Sequence, residues 1–180
     1  MLIYYTKQQL LNSYINQVSF SYPDLNIRSV MNTVNKLDND NKILPNLGSG
    51  GYKLIQSAQF LLDYSGNSDY MTILKESLLF DFSLPVEYAK KIAEKNVKNI
   101  GILGLSYYEN LRDFSYSPVI SLVESLKYHN IKVKVNDPFF NDEEISQFVN
   151  AESFSFPEEL SDFDCIILMT SHIKYKSVTQ

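Results

Sequence analysis

The stretch that most restricts what this chain can fold into spans residues 99–138, NIGILGLSYYENLRDFSYSPVISLVESLKYHNIKVKVNDP. Its opening run, residues 100–105, is apolar, broken by Gly101 and Gly104, and too short for a helix, so it reads as a buried strand. A polar loop follows, and Ser117-Pro118 then supplies an N-cap residue and a first-turn proline. Val119, Leu122, Val123 and Leu126 recur at helical spacing and give one apolar face. The alternation of Ile131, Val133 and Val135 with Lys132 and Lys134 predicts a second strand, closed at Asp137-Pro138 because proline cannot donate to a ladder. Strand, loop, helix and strand in this order make one right-handed crossover unit of a parallel sheet. Such sheets bind ligands beyond the carboxyl ends of their strands, which singles out the loop at residues 106–116.

The remainder is arranged around this unit. Leu10, Leu11, Tyr14, Ile15 and Val18 predict a first helix ending before Tyr22-Pro23. A second helix starts at a capping Asn26 and carries Ile27, Val30, Met31 and Val34 on one face, and Asp38-Asn39-Asp40-Asn41 favours turns. A glycine-rich loop, PNLGSGG, leads into a helix near Ala58, and Tyr70, Ile73, Leu74 and Leu78 predict another. Ser83-Leu84-Pro85 punctuates the chain, and Val86, Ala89, Ile92 and Ala93 form the face of one more helix, supported by a Glu87 to Lys91 pair. The expected organisation is a helical half at residues 1–84 and an α/β, Rossmann-like half at residues 85–180. In the latter, residues 142–149 read as a helix, residues 153–157 as a short extended piece, and Cys165 to Met169 as a third buried strand ending at Thr170-Ser171-His172.

Charge and cysteine usage narrow the partners. With 16 basic against 21 acidic residues the chain carries a net charge of −5, so no nucleic-acid partner is expected. One cysteine, no long apolar run and no basic-then-apolar leader give no disulfide framework, no membrane span and no secretory signal, and point to the cytoplasm.

The motifs themselves carry a resemblance. ILGLSYYENLRDFSYSP, Asp137-Pro138 and the late TSHIKYK resemble the C-terminal domain of the UDP-glucose/GDP-mannose dehydrogenase family, whose pattern is close to I-L-G-L-A-F-K-x-N-x-x-D-x-R-x-S-P. PNLGSGGYKLIQSA is similar to that family's central-domain loop, SLPVEY to its later S-M-P-x-Y, and SYINQVSF to its central helix, with Asn12 at an active-site asparagine. The resemblance implies oxidation of a nucleotide-sugar hydroxymethyl group to a carboxylate with NAD as hydride acceptor, in polysaccharide biosynthesis. It implies a helical central domain that makes a homodimer and a C-terminal domain that holds UDP. It also implies Asn12, Gly48, Gly50, Gly51, Tyr107 and Tyr108 as substrate-contacting positions, with Tyr107 at the aromatic that stacks on uracil.

The sequence departs from that pattern where the chemistry sits. The family nucleophile, a cysteine that forms a thiohemiacetal and then a thioester, falls on Lys53, and its assisting aspartate on Ser57. The family lysine after the aromatic is Tyr108, the arginine before S-P is Ser115, and the central-helix lysine falls on Gln8 with Lys7 one step away. No G-x-G-x-x-G opens the chain, and GILG alone has the spacing of a tight turn, so no cofactor, NAD included, is expected to bind these residues. The expected function is a partial or degenerate nucleotide-sugar dehydrogenase homologue that retains UDP or UDP-sugar binding without turnover. Two alternatives stand beside it: a structural or regulatory dimerisation partner of a full-length dehydrogenase, and part of an oxidoreductase whose NAD domain lies on another chain.

Each position also has an ordinary structural reading. Tyr107 serves equally as a loop aromatic covering the sheet end, the glycines as a turn, and Lys53 as a solvated lysine. Asp113 is expected to structure the loop, His172 to be satisfied or exposed at a strand end, and Cys165 to be inert core; no metal site is expected.

Overall fold

The computed structural model describes residues 1–37, 43–66 and 68–176, so the Asp38-Asn39-Asp40-Asn41 turn lies outside the described residues. The fold class is α/β, and the chain divides into two compact units, Met1–Leu84 and Pro85–Gln180.

The first unit is helical: α1 (Leu2–Ser21), α2 (Ile27–Leu37), α3 (Tyr52–Tyr64), a single 3₁₀ turn at Asp69–Met71 and the first part of α4 (Thr72–Ala93). Asn26 caps α2 through its side chain, accepting from the Ser29 N–H at 3.0 Å. One core joins Ile15, Ile27, Met31 and Ile43, a second Ala58, Leu62, Leu74 and Leu78. Two helix faces differ from the sequence reading. On α2, among the described side chains, only Ile27 and Met31 are buried, Val30 and Val34 being exposed. On α1 the most deeply buried side chains include Thr6, Gln9, Ser13 and Asn16, while Tyr14 is exposed. Their spacing is helical; their chemistry is polar because of the groups they meet, described below.

Pro85 does not separate two helices, as expected from the sequence, but lies inside the continuous α4. Its ring removes one N–H, the donor that would serve the Asp81 carbonyl one turn back. That carbonyl lies instead against the glycine-rich loop, where a Cβ on Gly48 would stand 2.8 Å from it. Leu78, Leu84 and Ala89, all buried, carry the helix through the proline. The charge pair on this helix is Glu87 with Lys90 at 2.6 Å, and Lys91 lies over the Tyr88 ring.

The second unit holds a parallel sheet in the order β3-β2-β1-β4, formed by β1 (Asn99–Leu103), β2 (Lys132–Asn136), β3 (Glu152–Ser153) and β4 (Cys165–Leu168). Helices α5 (Pro118–Tyr128), α6 (Asp142–Val149) and α7 (Ile173–Lys176) follow β1, β2 and β4. Ser117 caps α5 with Pro118 in its first turn, and Val119, Leu122, Val123 and Leu126 are the buried face, as their spacing requires. Asn141 and Glu144 close a capping box on α6. β1 is central and its Ile100 and Ile102 are fully buried. β4, expected as a buried strand, is an edge: Ile166 and Leu168 are 37% and 53% exposed and Cys165 is only half-buried. Its exposure alternates, Cys165 and Ile167 on one face being half-buried and Ile166 and Leu168 on the other exposed.

Candidate functional site

The carboxyl edge of this sheet is built around Asp137, the residue that follows β2 and is 2% exposed. Its Oδ2 accepts the Leu105 N–H at 2.8 Å and the Ser106 N–H at 2.7 Å, and its Oδ1 accepts the Phe139 N–H at 2.9 Å. One carboxylate therefore fixes the strand tip and the following loop together. His172, fully buried, completes the arrangement: Asn110 N–H donates to its Nδ1 at 2.9 Å, which leaves the ring proton on Nε2, 3.2 Å from Asp137 Oδ2. Tyr175 donates its hydroxyl to the Asn136 carbonyl at 2.8 Å; burial, with Asp137 nearby, holds that hydroxyl well above its ordinary pKa. Gly104 is needed where β1 turns outward. Its φ is +98°, and a Cβ there would lie 2.6 Å from Thr170 Cβ and 2.7 Å from Thr170 N.

On this frame the loop presents its aromatics. Tyr107 is half-buried and Tyr108 exposed, the rings meeting edge to face with centroids 5.0 Å apart. Burial first, then Tyr108 and Asp113, raise the Tyr107 hydroxyl above its ordinary pKa. Asp113 structures the loop, its carbonyl accepting the Tyr107 N–H at 2.8 Å and its Oδ1 the Ser115 N–H at 2.9 Å. Between β1 and Tyr107, Ser106 is 1% exposed and its Oγ has no protein partner. Ser106 was placed by sequence at the start of the candidate loop without being singled out, and Asp137 was marked only as a strand end; an acid at the carboxyl end of a parallel strand, facing loop amides that need an acceptor, was the available signal.

The helical unit has its own polar centre. Asp81, 4% exposed on α4, accepts from Gln9 Nε2 at 2.6 Å, Ser49 Oγ at 2.9 Å and Asn16 Nδ2 at 3.3 Å. Burial raises its pKa above the ordinary carboxylate value, opposed by these hydrogen bonds. Asn16 Oδ1 accepts the Asn46 N–H at 2.9 Å, so α1 holds the start of the glycine loop. Gly48, Gly50 and Gly51 are buried in that loop; Gly51, with φ +85°, is the N-cap of α3. Lys53 is exposed in the first turn of α3, and Ser57, one turn on, is buried. Asn12 is half-buried on α1, one turn before the Asn16 that reaches the loop. Among the described residues no cluster of three His, Cys, Asp or Glu could hold a metal ion.

Comparison with known proteins gives these units their context. The UDP-binding domain model of the UDP-glucose/GDP-mannose dehydrogenase family matches residues 101–180. Over this C-terminal region the chain is similar to that family. Curated relatives include UDP-N-acetyl-D-mannosamine dehydrogenases of Methanocaldococcus jannaschii, 26% identical over 156 residues, and Methanococcus aeolicus, 23% over 165. These alignments cover 85% and 86% of this chain but 34% of each relative, so the chain spans about a third of their length. The fold is shared with a UDP-glucose dehydrogenase of Pyrobaculum islandicum, TM-score 0.79 at 21% identity, over 97% of this chain and 43% of that one. It is shared equally with the UDP-D-ManNAc dehydrogenase of Pyrococcus horikoshii, TM-score 0.78 at 20% identity, over 98% and 42%.

The family's nicotinamide cofactor does not fit the glycines of the UDP-binding domain. A Cβ on Gly101 would meet Ile166 Cδ1 at 2.7 Å and the Phe163 ring at 3.0 Å, and Gly104 backs onto Thr170. Both glycines admit protein neighbours, and neither opens a cradle toward a pyrophosphate. Among the described residues no helix is long and apolar enough to cross a membrane.

Proposed function

We propose that this chain is a degenerate nucleotide-sugar dehydrogenase homologue that binds a uridine nucleotide or UDP-sugar at residues 106–116 and performs no oxidation with its own residues. The observation that carries the reading is the half-buried Tyr107 at the carboxyl edge of a UDP-binding domain, next to the buried, unpartnered Ser106 Oγ. An aromatic face at such an edge suits a pyrimidine ring. Against turnover stand Lys53 and Ser57 at the cysteine and aspartate positions: an exposed amine cannot form the thioester through which the aldehyde would be oxidised. Titration calorimetry with UDP and UDP-sugars tests the binding. Stacking of a base on an aromatic ring contributes about 1–3 kcal/mol, so Tyr107→Ala should weaken binding by about fivefold or more. An unchanged affinity in that variant would remove Tyr107 from the site.

A second reading is favoured by the apolar groups that the helical unit exposes. Ile3, Tyr64 and Ile73 are 77%, 94% and 78% exposed, more than isolated surface residues require. In this reading the unit pairs with a second copy of the chain. Sedimentation analysis gives a dimer if it is right and a concentration-independent monomer if it is wrong.

A further inference from the structure

The inference drawn here rests on the reading that residues 106–116 hold a uridine-type ligand, and it concerns which part of that ligand is recognised. A parallel α/β sheet ordinarily offers a phosphate two places: backbone N–H groups at the tip of a central strand, and the N-terminus of the helix that follows. Both are already spent. The Leu105 and Ser106 N–H groups go to Asp137 Oδ2, and the Tyr107 N–H goes to the Asp113 carbonyl. At the start of α5, Pro118 has no N–H, the Val119 N–H goes to Ser117 Oγ at 3.3 Å and the Ile120 N–H to the Ser117 carbonyl at 3.4 Å.

Two cations of this region are already paired with carboxylates. Arg112 is ion-paired with Glu144, donates from Nε to the Phe139 carbonyl at 3.0 Å, and lies over the Phe140 ring at 5.1 Å. Lys176 Nζ stands 3.3 Å from Glu109. Glu109 and Asp113 lie in the loop itself, and Asp142, Glu143 and Glu144 occupy the first turn of α6. At the tip of β1 and the start of α5 a diphosphate finds no uncommitted amide, and the loop and the first turn of α6 add carboxylates. What the loop offers a base is uncharged: the Tyr107 and Tyr108 rings.

We infer that this site selects a nucleoside, and that the phosphates of a nucleotide add nothing to its affinity. It discriminates by base and ribose, in the manner of an aromatic nucleoside pocket, and would accept uridine as readily as UDP.

Titration calorimetry of the whole chain with uridine, UMP and UDP, each at low and high salt, decides the matter. The expected result is uridine and UDP affinities within about fivefold of each other, because charge-assisted contacts that would separate them by tenfold or more are not made. UDP binding that is tighter by more than this factor and weakens with salt would overturn the inference and leave the Tyr107 site standing. No heat from any of the three at millimolar concentration would overturn the parent reading, and this one with it.

Discussion

Replacing Asp137 tests the account of the carboxyl edge most directly. In Asp137→Ala the amides of Leu105, Ser106 and Phe139 lose their acceptor together, and His172 Nε2 loses its only charged neighbour among the described residues. Each hydrogen bond to a charged acceptor contributes about 1.5–3 kcal/mol, and each buried donor left unpaired costs about 1–3 kcal/mol. The members share one carboxylate, so their losses do not add, and the expected destabilisation is about 3–5 kcal/mol, the range found when a buried charged network loses one partner. For a unit of this size that corresponds to a fall in Tm of roughly 15 °C or more. Asp137→Asn should cost about half as much. Its single carbonyl can serve Leu105 and Ser106, but its amide then faces the Phe139 N–H, donor against donor. Urea unfolding followed by circular dichroism measures both variants, since the chain has 13 tyrosines and no tryptophan to report selectively. A loss below about 1 kcal/mol in Asp137→Ala, or an Asn variant no better than the Ala variant, would refute the claim that this carboxylate organises the edge.

Two further outcomes follow from single contacts. Gly104→Ala puts a methyl 2.6 Å from Thr170 Cβ on a residue whose φ of +98° already excludes most side chains, and a loss of at least about 3 kcal/mol is expected in the same unfolding assay; a near-neutral variant would show that β1 does not turn as described. Asp81 has a folded pKa above its unfolded one, so the folded state holds the proton more tightly, and the stability from this group is highest in acid and falls as pH rises from the ordinary carboxylate range through the raised value. The stability of Asp81→Asn relative to the native chain should therefore improve with rising pH across that window, and a difference independent of pH would refute it.

How much of this was legible depended on which interaction each residue serves. The crossover from β1 to β2 could be read because alternation and helical spacing report burial against apolar neighbours, which the strands and α5 have. The burial of β4 could not, because an edge strand and a central one carry the same short apolar run, and only sheet order separates them. Pro85 misled for a different reason: the missing N–H is a local cost, and the packing on both sides of it is enough to keep α4 continuous. The face of α1 was misread because a buried stripe was taken to be apolar, whereas Gln9 and Asn16 face the Asp81 carboxylate. An aspartate at helical spacing from Leu74 and Leu78 was the available sign of that polar core. The glycine loop and the Tyr107 loop could be located from sequence, but the partners that fix them, Asn16, Asp81, Asp137 and His172, come from distant segments that no local pattern connects.

The division between what holds the edge and what would touch a ligand explains how such a site can change its chemistry without losing its shape. The groups that determine the loop's path are Gly104, Asp113, Asp137 and His172, each of whose contacts is to protein. Tyr108 and Ser115, where the sequence resemblance places the family's lysine and arginine, take no part in that frame through their side chains: Tyr108 is exposed, and Ser115 is held by its backbone N–H. Replacing a cation at either position removes attraction for a phosphate while leaving every hydrogen bond of the frame in place. Recognition of the base, which needs only the rigid presentation of Tyr107, is then the property most easily retained, and the affinity of phosphate the one most easily lost.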